Sequence, residues 1–382
     1  MSLFRTNRIT SFLVIIGLSI FLLFPVKSIA SEENNESNQD NQVEKLDVGK
    51  LIIDHIVDSY DWHIATIGQK HYSIYLPIIL FYEGELITFS SKHLHHGESS
   101  YKGFRIESEG MKKGKIVKVL DDGVTTDPNA SFLFDVSITK TVLGIFIATL
   151  LVLFVFLKVA KSYKKNPVGA PKGLQSGMEF ILVFIRDEVI RPAIGEKHYM
   201  RFAPILLTIF FFILFANVIG LIPLFPGGAN VTGNIAVTAT LALFTFATML
   251  ITGNKDFYKH IYNTPGVPWY MKFPLPIMPV VELLGLFTKP FVLMIRLFAN
   301  MTAGHIVGLG FIVLIFVFAE MSAVIGFAVS PFSVFFYIFI GLLELLVAFI
   351  QAYVFTLLSA LYFGMAVEEH QHEEHHHEEI NS

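Results

Sequence analysis

Two stretches near the C-terminal end carry residues able to do chemistry. In PFVLMIRLFANMTAGH (290–305), Arg296 sits in the middle of an apolar run, with Asn300 one helical turn later and His305 beyond it. A second apolar run carries Glu344, Gln351 and Tyr362. Tyrosines aside, the ionisable side chains between 279 and 367 are Glu282, Lys289, Arg296, His305, Glu320 and Glu344. Charged groups inside so apolar a stretch are costly, and they face a cavity, a partner or a conduction path.

Their spacing is informative. Glu282, Lys289 and Arg296 are seven residues apart, which places them on one slowly drifting stripe of a helix. Arg296, Asn300 and Gly304 continue that stripe at steps of four. Pairing His305 with Glu344 on an antiparallel helix sets Arg296 level with Tyr353, within one turn of Gln351. An imidazole beside a carboxylate can relay a proton, because histidine titrates near neutrality. Glu282 is suited to the same duty at the other end. Between the two half-paths, an arginine does not pass a proton on, because its pKa exceeds about 12. It blocks a direct wire and attracts a carboxylate from outside the chain.

Simpler roles compete for each residue. Arg296 could be neutralised by Glu282 or Glu344. Glu282 lies about 21 Å away by helical rise, and Glu344 is better matched to His305. Glu320 fits a solvated interface position, and Lys289 fits a snorkelling cation. Asn217, in FANVIGLIP, suits either a helix–helix hydrogen bond or the path, and the two stay open.

The elements that must hold these groups are membrane helices. Of 382 residues, 53% are hydrophobic and 16% charged, against about 25% charged in ordinary soluble domains. Net charge is −4, which gives no reason to expect nucleic acid as a partner. The chain has no cysteine, so disulfides and thiolate metal sites are excluded; no cofactor and no metal are expected.

Residues 1–30 have a basic start, a short apolar core and a small-x-small end, the pattern of a cleaved signal peptide. An acidic, Asn-rich linker follows at 31–45. Residues 46–134 carry alternating runs such as KGKIVKVL, the mark of short strands, so a small β-containing exported domain is expected. Its six histidines match no familiar metal spacing and read as solvated. The membrane domain is expected at 135–367. A first span ends in Lys158, Lys161, Lys164 and Lys165, and 173–194 reads as an amphipathic helix on the cytoplasmic face. Spans two (202–224) and three (235–253) follow.

Two long helices, from about Pro279 to Ala319 and from Pro331 to Val367, close the domain with a turn near Ser330. The first would be about 60 Å long, twice a span, and steep tilt of roughly 60° would accommodate it. Short loops obey the positive-inside rule with a periplasmic mature N-terminus and a cytoplasmic C-terminus. Residues 368–382 read as a solvated His/Glu-rich tail. The fold class is thus an all-α polytopic membrane protein with five crossings, an amphipathic helix and the exported β-containing domain.

RLFANMTAGH, PVVELLGLFTKP, FANVIGLIP and LLVAFIQAYVFTLLSALYFGMAVEEH together make the chain similar to subunit a of the F-type ATP synthase over about residues 133–370. The resemblance implies a non-catalytic proton-channel subunit in the bacterial inner membrane. Its partners would be the subunit c ring, subunit b of the peripheral stalk, other synthase subunits and lipid. It matches Arg296 to the essential rotor-facing arginine, Asn300, His305, Glu344 and Gln351 to the outer half-channel, and Glu282 to the inner one. Many bacterial members carry the acid on the penultimate helix and the histidine on the last; here the order is reversed, as in mitochondrial members. A stand-alone proton-coupled transporter is the alternative, against which stands the lack of an internal repeat.

Overall fold

A computed structural model describes residues 56–67, 70–97, 99–108, 112–165, 169–222, 227–262 and 277–368, together with Gly49 and Pro167. The expected signal peptide, the acidic linker and the tail from 369 onward lie outside the described residues. The chain forms two compact units, which divide between Lys140 and Thr141.

The first unit is built from short antiparallel strands. β1 (Asp61–Ile67) pairs with β2 (Lys70–Tyr75), β3 (Pro77–Tyr82) with β4 (Glu85–Ser90), and β5 (Phe104–Ile106) with β6 (Ile116–Lys118). β7 (Phe134–Asp135) adds to the other edge of β3, so strand pairing continues across the expected boundary at 134/135. Tyr82 pairs with Glu85. That leaves Glu83 (φ 51°) and Gly84 (φ 87°) as a two-residue loop with positive φ at both positions, the condition for a hairpin whose twist matches its strands. Alternation buries Ile78 and Leu80 against Leu94, Phe104, Ile116 and Tyr60. The Tyr60 hydroxyl donates to Asp135 at 2.5 Å, and burial, then Asp135, push its pKa well above the ordinary phenol range. His93 stacks on Tyr101 with ring centres 4.4 Å apart. Among the described residues no three potential ligands converge on a metal position.

The second unit is helical, and five of its helices are long and apolar enough to cross a membrane. α1 (Lys140–Lys165) ends in the lysine cluster. α2 (Leu174–Phe184) runs through a π-helical turn at Ile185–Ile190 into α3 (Arg191–Ile194). This segment matches the expected amphipathic helix, but its second half is more than a surface element. Ile185, Val189, Ile190 and Ile194 enter the main core, while Arg186 and Asp187 stay paired outside it at 2.8 Å. That hydrogen bond to Arg186 holds the Asp187 carboxyl below its usual range.

α4 (Tyr199–Gly220) and α5 (Ile235–Thr252) are spans two and three, and α6 (Lys255–Tyr262) is a short helix after them. α7 (Ile277–Met321) and α8 (Ala323–Val367) are 45 residues each. At 1.5 Å per residue that is about 68 Å, more than twice a hydrocarbon core of about 30 Å.

The turn between α7 and α8 is at Ser322, earlier than the expected position near Ser330. Pro331 sits inside α8 rather than at its start. Ser322 is extended, and a Cβ on Gly326 would lie 2.8 Å from the Ala319 Cβ. A side-chain-free position thus lets the two helix ends close where a proline alone had suggested a later break.

α8 packs on α4 and α3 through a row that sequence patterning does not single out. Ala348, Ala352, Thr356, Ala360 and Gly364 recur every four residues, and all are buried. Small residues at this step let helix backbones come close, which is how helices associate where lipid removes the hydrophobic drive. A Cβ on Gly364 would run into the carbonyl oxygen of Ala193 on α3. Phe202, Leu206, Phe210 and Ile213 of α4 fill the core opposite that row.

Candidate functional site

Helix α7 turns its polar stripe as it rises. Glu282 and Lys289 are half-buried, and their charges are near enough to interact. The Lys289 ammonium does not reach freely outward: it lies 5.5 Å from the Tyr362 ring centre and 3.9 Å from the Met365 sulfur on α8. Arg296 is exposed. Among the described residues it makes no hydrogen bond or ion pair, although the Tyr362 phenol is close enough to feel its charge.

Two turns on, the stripe reaches α8. Gly304 lies against Glu344: a Cβ there would sit 2.5 Å from the Glu344 Oε1. This contact is one residue from the expected His305–Glu344 pairing, so the antiparallel register is close to the expected one. A cavity of about 230 Å³ opens at this level, lined by Asn300, Gly304, Val307, Ile340, Glu344 and Val347 among others. Glu344 Oε1 is buried there without a hydrogen-bond partner among the described residues.

His305 faces a different neighbour. Its Nδ1 is 3.0 Å from the Met301 carbonyl oxygen, and its Nε2 is 3.4 Å from the carbonyl oxygen of Gly220, the last residue of α4. Both of these atoms are carbonyl oxygens, which only accept, so a ring nitrogen facing either one serves as donor when it carries a proton. The end of α4 also brings Asn217, which is fully buried. Its Nδ2 donates to the Ala348 carbonyl at 3.4 Å, and its Oδ1 accepts from Thr232 at 2.6 Å. Asn217 is therefore a tie between α4, α8 and the loop before α5, and it stands beside the cavity rather than on its lining. Gln351 is buried on α8, and Tyr362 is placed toward the Glu282 end with Lys289.

The expected residues thus fall into three places. Asn300, Glu344 and His305, with Asn217 behind them, gather where α4, α7 and α8 meet. Arg296 stands on an open face. Glu282 lies with Lys289 on the far side of Arg296, and Tyr362 approaches both cations from α8. Glu320 is exposed beside the Ser322 turn.

Fold and site together define a multi-pass membrane protein with titratable groups lodged between two long apolar helices. Residues 142–364 match the family model described as ATP synthase A chain. The "ATP synthase subunit a" of Chloroherpeton thalassium is 48% identical over 246 residues, covering 63% of this chain and 69% of that protein. Those of Chlorobium phaeobacteroides and Prosthecochloris aestuarii are 44% and 45% identical over 63% of this chain and 68% and 72% of their own. The chain belongs to the ATP synthase A chain family, whose work is proton transport in ATP synthesis. The strand-built unit is separate from that match: residues 51–136 fit a model described as a domain of unknown function (DUF8433).

Proposed function

We propose that this chain is the proton-conducting stator subunit of an F-type ATP synthase, not itself catalytic, working against a rotating ring of subunit c. Protons enter through the cavity beside Asn300 and Glu344, with His305 as relay and Asn217 and Gln351 further along the same path. They leave past Glu282 at the other end, with Tyr362 near that exit. Arg296 divides the two paths. A ring carboxylate that reaches it loses its proton, pairs with the guanidinium, and reloads from the other side as the ring turns.

The observation that carries this reading is the exposure of Arg296 in mid-helix with no hydrogen bond or ion pair among the described residues. An unpaired cation in an apolar setting needs a counter-charge, and a passing carboxylate supplies one. Steep tilt of α7 and α8 against the ring follows from their length. The inner membrane, a periplasmic N-terminal unit, a cytoplasmic C-terminus and contact with subunit b of the stalk complete the proposal.

Arg296→Ala in the intact synthase should abolish ATP-driven proton pumping into membrane vesicles while the complex still assembles. Coupled pumping retained by an assembled Arg296→Ala complex overturns the role. A second arm probes the relay: His305→Glu with Glu344→His should recover pumping relative to either single change, and no recovery counts against a shared path.

A further inference from the structure

Away from the α7–α8 site, a second cavity of about 240 Å³ lies between the lysine-rich end of α1 and helix α2. Its walls are Phe156, Val159 and Leu182, and its polar end is Tyr163, Glu179 and Arg186. The spacing explains the arrangement: positions 156, 159 and 163 share one face of α1, and 179, 182 and 186 share one face of the helix opposite. The Glu179 Oε2 is buried with no hydrogen-bond partner among the described residues, while the Tyr163 hydroxyl approaches the same carboxylate. Arg186 spends its Nε and one terminal nitrogen on Asp187, both at 2.8 Å. A guanidinium has five N–H donors, so its other terminal nitrogen is left for a second anion.

We infer that this cavity binds the headgroup of a zwitterionic phospholipid with a primary ammonium, of the phosphatidylethanolamine class. The ammonium donates to Glu179 Oε2, and the phosphate meets the spare guanidinium nitrogen of Arg186. The acyl chains run over the apolar wall and along the exposed side of α1, where Leu153, Phe154 and Leu157 are uncovered. A buried carboxylate oxygen without a donor is costly, and a charge-assisted bond from an ammonium relieves that cost. The depth is right for a headgroup: Lys158, Lys161, Lys164 and Lys165 crowd the same end of α1 and are exposed, and lysines collect at the membrane surface. Those lysines alone would favour an anionic lipid. Glu179 argues against one, since a second negative charge beside it is repelled. A choline headgroup fits less well, because its quaternary nitrogen has no N–H to give.

The test uses the whole synthase in phosphatidylcholine vesicles and a phosphatidylethanolamine carrying a photoreactive acyl chain. Mass spectrometry should place the label on the stretches of α1 and α2 that line the cavity. Unlabelled phosphatidylethanolamine should compete about tenfold better than phosphatidylcholine, the discrimination expected of one charge-assisted hydrogen bond. Glu179→Gln should erase that preference. Should Glu179→Gln fail to assemble, Val183→Trp, which fills the rim of the cavity, should remove the label from an assembled complex. Equal competition by the two lipids overturns the inference, as does strongest competition by phosphatidylglycerol or labelling confined to other helices. Failure here leaves the role of Arg296 untouched, because the readout is lipid retention and not pumping.

Discussion

Helices α4 and α8 are both apolar enough to span a membrane, yet they are used in opposite ways. In the most apolar stretch of α4, 61% of residues are buried inside the chain; in that of α8 the share is 11%. α4 is a core helix that happens to lie in a membrane. α8 buries the row of small residues and, beside it, Gln351, Phe355, Ser359 and Phe363, and leaves much of its remaining surface uncovered, with Phe335, Leu342 and Leu346 exposed. α7 is similar at Phe287 and Phe291. Hydropathy is therefore blind to the distinction that matters: which face a helix keeps for its own chain and which it offers to lipid or a partner. Arg296 is on the offered face; Asn217 is on the kept one.

The largest effect should come from cutting into the kept side. Phe210 is fully buried on α4 and packs edge-on against Phe211 and Phe349. Phe210→Ala should lower the unfolding free energy of the purified chain in micelles by about 3–5 kcal/mol. Phe291→Ala, at 59% exposure, should change it by less than about 0.5 kcal/mol. Similar losses at both positions would erase the contrast.

Next is the row of small residues. Gly364 faces backbone, the Ala193 carbonyl, rather than a movable side chain. Gly364→Ala should cost about 1–3 kcal/mol through overpacking, read in the same unfolding assay. A bulky side chain is already accommodated off the row, at the half-buried Tyr353, so the sensitivity should be specific to the row. A smaller loss, about 0.6–1.7 kcal/mol, is expected for Asn217→Ala, between the average and the maximum measured for hydrogen bonds between membrane helices. No loss there would mean that the Asn217 contacts are not a tie.

Much of this was legible in the chain. Each of the five spans and the amphipathic segment declares itself by length and apolar content. The stripe of Arg296, Asn300 and Gly304 is legible because four-residue steps share a helix face. The turn at Ser322 was not, since Pro331 is a strong local signal and the closeness of Gly326 to Ala319 exists only once two helices meet. The small-residue row was hidden among larger apolar neighbours, where four-residue spacing of Ala, Thr and Gly carries no charge to mark it. The position of His305 against Gly220 could not be read from α7 and α8 alone, because it depends on where α4 ends.

The finest test separates the two residues that the sequence treated as one pair. Gly304 lies against Glu344, and a methyl group at 304 would press on the carboxylate at 2.5 Å from its Oε1 and 3.1 Å from its Cδ. The side chain of Glu344 is flexible and has a cavity beside it, so it can swing aside without disturbing the helices. Gly304→Ala should therefore leave the unfolding free energy almost unchanged while slowing ATP-driven proton pumping about threefold, equivalent to about 0.6 kcal/mol of barrier. Gly308, one turn further on the same helix, has Tyr337 and Ile340 no closer than 3.8 Å, so Gly308→Ala should pump as the parent does. If both substitutions slow pumping equally, the position of Glu344 is not what limits entry of the proton. If only Gly304→Ala does, the carboxylate must stand where the missing side chain lets it.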